Sequence, residues 1–216
     1  MVQFPGSCDE RDAVRACSLA GDARLIWHED RDLGGVDAVV VPGGFSYGDY
    51  LRAGAIARFS PAMESVAEFA AAGGPVLGIC NGFQVLCEAG LLPGALLRNE
   101  ELRFVCRQVD LVAAEASSPF LAEIEAGETL SIPVKHGEGR YYAPPEILDR
   151  IGANGQVAFR YAPGQNPNGS VGDIAGVLNE GGNVLGLMPH PEHAVDPLTG
   201  STDGLRLFAG VAEALV

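Results

Sequence analysis

Gly78-Ile79-Cys80-Asn81-Gly82 sets a cysteine between two glycines, where an apolar run gives way to helical spacing. Pro75 to Ile79 reads as a short buried strand, and Phe83, Val85, Leu86, Cys87 and Leu91 recur at the spacing of one helix face. A reactive side chain on a sharp strand-to-helix turn is the nucleophile elbow of hydrolases, here with cysteine in the serine's place. Such a turn strains the backbone at its centre, so small residues must flank it and admit other backbone closely. The helix that follows presents the positive end of its dipole to the sulfur, an arrangement that favours thiolate. The ordinary alternative is a buried cysteine packing as a small hydrophobe.

A second segment removes that ambiguity. Val184 to Met188 is another apolar strand, and Pro189 and Pro191 fix the chain on both sides of His190, with Glu192 next. An activated thiol needs a base within hydrogen-bond reach, and the base needs a third group to set its tautomer. His190 and Glu192, held rigidly at a strand's end, supply both roles. A solvent-facing His-Glu pair in a turn would not need two prolines.

Composition narrows the remaining classes. The chain has 216 residues, 47% of them hydrophobic, with no long charged or low-complexity tract, which fits one domain over 1–216. Lys and Arg total 14 against 28 Asp and Glu, for a net charge of −14. So acidic a surface repels nucleic acid and anionic membrane. No apolar run has the length of a membrane span, and the N-terminus does not read as a signal peptide. The 5 cysteines show no metal-ligand spacing, and a free catalytic thiol suits the cytoplasm. Lys135 is the only lysine, a bias that reads as genome composition.

Strands and helices alternate, as in an α/β sheet with parallel strands and helices on both faces. Met1 to Phe4, Leu25 to Trp27 and Val36 to Val41 read as strands, and Asp9 to Ala20 as a helix. Ser60-Pro61 starts a helix to about Ala72, with Pro in the first helical position. Phe104 to Val134 carries strand-like segments. Gln156 to Tyr161, Ile174 to Leu178 and Val184 to Met188 form a meander. Thr202-Asp203 caps a last helix with Leu205, Phe208, Ala212 and Leu215 in one apolar stripe.

Three more segments bear on chemistry. Pro42 to Tyr50 follows a strand at the carboxyl edge, where open α/β sheets bind ligands, and its glycines can offer N–H groups to an oxyanion. Its spacing fits neither GxGxxG nor a P-loop, which excludes phosphate binding there. Lys135 to Gly139 follows another strand and can grip an amino-acid substrate, although His136 reads equally as a structural histidine. Pro163 to Gly172 is a polar turn. His28 reads as core or rim, and Cys8, Cys17, Cys87 and Cys106 as packing residues.

The Cys80 elbow and the Pro189-His190-Pro191-Glu192 turn resemble the class I, triad-type glutamine amidotransferases, a flavodoxin-like α/β fold. Within that class, Gly43 to Arg52, Gly54 to Arg58, Cys80 to Gln84 and His136 to Gly139 resemble the amidotransferase subunits of phosphoribosylformylglycinamidine synthase, which serves purine biosynthesis. The likeness extends from Phe4 onward. Three features depart from it: Ser7 runs straight into Cys8 without an asparagine between, the first strand is short, and His193 replaces an arginine after Glu192.

The resemblance implies that Cys80 attacks the side-chain amide of L-glutamine, with the oxyanion held by N–H groups at Gly44 and Asn81. It implies that His190 is the proton carrier and Glu192 its orienting group, and that Gln84, His136, Gly137 and Glu138 shape the glutamine pocket. The ammonia passes to a separate ATP-dependent synthetase that makes formylglycinamidine ribonucleotide, with a small bridging subunit in the complex. No cofactor is expected in this chain; ATP and Mg belong to the synthetase. Two other classes share part of the pattern: cysteine-elbow chaperones or peptidases, which lack the Pro-His-Pro-Glu turn, and amidotransferase-like binding subunits that have lost the triad.

Overall fold

Gly78 in β4 (Val76–Ile79) stands in register with Gly186 in β11 (Val184–Leu187), and the two glycines decide how the centre of the molecule packs. A Cβ at Gly186 would lie 2.1 Å from the Phe83 ring, and one at Gly78 would lie 2.8 Å from the Gly82 backbone. Both residues in the way belong to α3 (Asn81–Glu88), so the glycine pair is what lets that helix settle on the strands. Any side chain there would force overpacking of a core in which Val, Leu, Ile and Ala pack with Phe, Tyr and Met.

The structure, a computed structural model, describes residues 1–214. The chain runs β1 (Val2–Gln3), α1 (Glu10–Cys17), β2 (Ile26–Trp27), β3 (Val39–Val41), α2 (Pro61–Ala71), then β4 and α3. There follow β5 (Ala95–Leu97), β6 (Val105–Ala113), β7 (Thr129–His136), β8 (Arg140–Tyr142) and α4 (Pro145–Ala153). β9 (Val157–Tyr161), β10 (Ile174–Leu178), β11 and α5 (Leu205–Ala214) complete it. One sheet has 7 strands in the order β3-β4-β11-β10-β9-β6-β7; β1 pairs with β2, and β5 with β8, in 2-stranded sheets.

The expected α/β class is the one observed, with a correction to strand direction. β3, β4 and β11 are parallel, but every ladder from β11 outward through β10, β9, β6 and β7 is antiparallel. The chain between β10 and β11, only Asn179 to Asn183, is too short for a parallel crossover, so the expected meander reverses at each step. β3, β4 and β11 therefore deliver their carboxyl ends to one edge. The sheet also curls, bringing β7 back until the Pro133 carbonyl accepts the His190 N–H at 2.8 Å. Proline suits β7, which has a ladder on one side only.

Other expectations need adjustment. The first long helix is shorter at both ends than Asp9 to Ala20, and the third strand keeps only Val39–Val41. α4, β5 and β8 were not expected. In α5 the buried face is Leu207, Phe208 and Val211, with Leu205 and Ala212 half-buried; Leu215 lies outside the described residues. The Asp203 carboxylate accepts the Ser131 N–H at 2.7 Å, tying the entry of α5 to β7. Cys8 and Cys106 are exposed and so are not packing residues, whereas Cys17 and Cys87 pack against the core. No described helix is long and apolar enough to cross a membrane.

Candidate active site

Cys80 occupies the elbow between β4 and α3 with φ +48°, a left-handed conformation that costs a non-glycine residue about 1 kcal/mol or more. The glycine at 82 is what the turn requires: a Cβ there would lie 1.9 Å from the Val41 carbonyl oxygen. The sulfur is 3.8 Å from the Lys135 carbonyl oxygen. It lines a cavity of about 260 Å³ together with Gly44, Gln84, His136, Gly137, Glu138 and His190. Seven expected site residues thus meet at one opening.

His190 is 1% exposed, and its Nδ1 is 2.6 Å from Glu192 Oε1. That contact fixes the imidazole and leaves Nε2 buried without a partner among the described residues. Burial alone would drive the ring neutral; the charges of Glu192 and of Cys80 outweigh it and raise the His190 pKa well above its usual range. His190 passes close beneath the loop after β3, where a Cβ on Gly43 would lie 2.8 Å from its Cε1.

A second ring of charge surrounds this pair. Asp9 Oδ2 is 3.8 Å from His190 Nδ1, and Asp9 Oδ1 is 3.3 Å from His193 Nε2 and is paired with the Lys135 ammonium. Burial opposes ionisation of Asp9, but His193, His190 and Lys135 hold its carboxyl well below the usual carboxylate range. Asp9, His190, Glu192 and His193 bring ligand-type atoms within 4.8 Å of one another. The Lys135 ammonium already balances the carboxylate that a metal ion would need. Lys135, read from sequence as a compositional remnant, is thus part of the site, and His193 takes its place beside Asp9.

Two backbone donors lie near the elbow, Gly44 in the cavity wall and Asn81 next to Cys80 in the chain. Gly44 forms a bridge with Ser7 in which the flanking residues make the bonds, Cys8 N–H to Gly43 O at 3.3 Å and Phe45 N–H to Gly6 O at 2.9 Å. The Gly44 N–H is left unpaired by this pattern. Asn81 is the first residue of α3, so its N–H has no intrahelical acceptor. Its side chain locks the site: Oδ1 accepts from Ser46 N–H at 3.0 Å and Nδ2 donates to Gln84 Oε1 at 2.9 Å. Gln84 in turn donates to the Glu138 carbonyl at 2.5 Å.

Sequence reasoning missed the network that holds the far wall. Asn99 Nδ2 donates to His136 O at 2.9 Å and its Oδ1 accepts from Gly139 N–H at 3.0 Å. Asn168, in the segment read as a plain turn, has its Nδ2 3.0 Å from His136 Nε2 and 2.8 Å from Gly139 O. Burial first, and then the charge of His190, depress the His136 pKa to about 3, so the ring is neutral. With Nε2 accepting from Asn168, the proton resides on Nδ1, which is buried and unpartnered among the described residues. His28 is buried and supports the neighbouring loop, its Nδ1 2.7 Å from the Tyr47 hydroxyl.

An elbow cysteine and a carboxylate-oriented histidine lining one cavity form the arrangement of a thiol-dependent amide hydrolase. The family model for CobB/CobQ-like glutamine amidotransferase domains matches residues 1–204. The chain is 57% identical to phosphoribosylformylglycinamidine synthase subunit PurQ of Streptomyces avermitilis, over 100% of this chain and 97% of that one. It is 59% identical to the PurQ subunit of Nocardia farcinica, over 100% and 96%. Among solved structures, PurLQS from Thermotoga maritima matches with a TM-score of 0.91 at 42% identity, covering 100% of this chain and 97% of that one. A glutamine amidotransferase from Thermotoga maritima, 16% identical with a TM-score of 0.61 over 99% and 95% of the two chains, shares the fold. The chain belongs to the glutamine amidotransferases, and within them to the PurQ family.

Proposed function

We propose that this chain is the glutaminase subunit of a phosphoribosylformylglycinamidine synthase. It hydrolyses L-glutamine to glutamate and ammonia and hands the ammonia to a separate ATP-dependent synthetase, with a small bridging subunit in the complex. The observation that carries the chemistry is His190: fixed through Nδ1 by Glu192, with a free Nε2, in the cavity that Cys80 lines.

The Cys80 sulfur attacks the carboxamide carbon, and the carbonyl oxygen gains charge against the Gly44 and Asn81 N–H groups. The C–N bond breaks as the His190 imidazolium gives its proton to the departing nitrogen, which leaves as ammonia. Neutral His190 then takes a proton from water, whose oxygen attacks the glutamyl thioester, and the released thiolate recovers with the imidazolium. Glu192 keeps the ring in one tautomer and balances its charge through both steps. Asn81 serves twice, by its backbone at the oxyanion and by its side chain in holding Gln84. Gln84, Gly137 and Glu138 line the substrate cavity, and the Nδ1–H of His136 is a donor within it.

No cofactor is needed by these steps, and ATP with its Mg is assigned to the synthetase. A role in purine synthesis fits the cytoplasm, where Cys80 stays reduced. Relatives named as synthase subunits favour this reading over a chaperone, a peptidase or a binding protein without activity.

A glutamine-analogue affinity label followed by mass spectrometry tests the assignment. The reading expects one adduct, on Cys80, suppressed by excess L-glutamine. An adduct elsewhere, or none that glutamine protects, contradicts it.

A further inference from the structure

The wall of the cavity contributed by the loop after β3 carries a carboxylate that the hydrolysis steps do not use. Asp49 lines the cavity from the turn Ser46–Asp49, in which Tyr47 has φ +53°, Gly48 has φ +66° and Asp49 has φ +53°. Two non-glycine residues in left-handed conformation within one short turn are a cost the fold must hold in place. Two contacts do so: the Tyr47 hydroxyl on His28 Nδ1 at 2.7 Å, and Asn81, which receives the Ser46 N–H and reaches Asp49 Oδ1 with its Nδ2 at 3.4 Å.

The charge around Asp49 is uncompensated. Glu138 faces it across the cavity, and among the described residues no cationic side chain pairs with Asp49. Lys135, the ammonium group that lines the same cavity, is paired with Asp9. Arg98 reaches Glu138 at 3.2 Å, but its side chain is 77% exposed and such pairs are weak. Burial first, and Glu138 second, raise the Asp49 pKa to about 6. An incoming cation relieves both. An amino-acid carboxamide brings one, its α-ammonium group, at the opposite end from the carbon that Cys80 attacks.

We propose that Asp49, with Glu138 beside it, binds the α-ammonium group of the substrate and thereby selects glutamine over carboxamides that lack that group. The inference rests on the glutaminase reading above. Asn81 links the two ends of the cavity, since it follows the nucleophile in the chain and touches Asp49 through its side chain. Recognition of the amino-acid end and alignment of the amide are then coupled through one residue.

The test uses the complex with synthetase and bridging protein, and compares release of glutamate from L-glutamine with hydrolysis of glutaramate, the analogue without the amino group. Asp49→Asn is the informative change. Asparagine tolerates left-handed backbone and still accepts from Asn81, so the turn survives while the charge is lost. A hydrogen bond to a charged group is worth roughly 10- to 100-fold in binding. Asp49→Asn is therefore expected to lower kcat/KM for glutamine by about that factor, mainly through KM, and to leave glutaramate hydrolysis unchanged. A variant that loses both activities in equal proportion, or that keeps the wild-type preference for glutamine, overturns the proposal. A wild-type complex that hydrolyses neither compound overturns the glutaminase reading and this inference with it.

Discussion

Glu192→Gln separates orientation from charge at the base. Glu192 has no exposed side-chain surface and sits 2.6 Å from His190 Nδ1. Glutamine can still accept from the Nδ1–H, so the ring keeps its tautomer and only the carboxylate charge goes. A hydrogen bond to a charged partner is worth about 1.5–3 kcal/mol and a neutral one about 0.5–1.5. Most of that difference falls on the imidazolium that re-forms as water attacks the glutamyl thioester, so kcat should drop roughly 5- to 50-fold. Asp9, 3.8 Å from the same nitrogen, limits the loss. His190→Ala should approach the loss seen for Cys80→Ala, because one ring serves both half-reactions.

The pH profile supplies a second readout with a definite sign. Burial pushes the His190 pKa down and Glu192, then Cys80, push it up by more, so the wild-type imidazolium persists above its ordinary range. Removing the Glu192 charge lets burial gain, and the alkaline limb of kcat should move to lower pH. Steady-state kinetics of the complex across pH reads both effects. A Glu192→Gln enzyme with unchanged kcat and an unmoved alkaline limb refutes the reasoning and transfers the role to Asp9.

The other expectations concern packing and coupling. Gly82→Ala places a Cβ 1.9 Å from the Val41 oxygen, so urea unfolding should show a loss of about 1–3 kcal/mol with an unchanged m-value; an unshifted midpoint contradicts the elbow packing. The isolated chain should hydrolyse glutamine slowly and accelerate when synthetase, nucleotide ligands and the bridging protein are present. Gly44, the oxyanion donor proposed above, lies on a loop whose strained turn can relax at small cost. Equal turnover by the lone chain and the liganded complex removes that gating.

The elbow was legible in the sequence because its demands are local. Glycines at 78 and 82 flank a strained residue, and the backbone that comes close to them is what no other residue would admit. His190 and Glu192 were legible because two prolines leave their segment little freedom. Asp9, Asn99 and Asn168 were not, since each is an ordinary polar residue until the curled sheet brings β7 and its loops against the elbow. α4 was hidden by having a single buried residue, Ile151, and β5 and β8 by being short and partly exposed. The reversals from β9 to β11 were legible as a meander joined by short turns, whereas the antiparallel pairing of β6 and β7 was not, because apolar runs look alike in parallel and antiparallel ladders.

The central claim is a division of labour: Cys80 releases ammonia, and another chain uses it. Its most direct measurement is amidation by the reconstituted complex carrying Cys80→Ala, with glutamine or with ammonium salt as nitrogen source. The account predicts that glutamine-dependent synthesis is abolished while ammonium-dependent synthesis continues at the wild-type rate. Loss of both activities with the complex intact, or survival of the glutamine-dependent one, contradicts it.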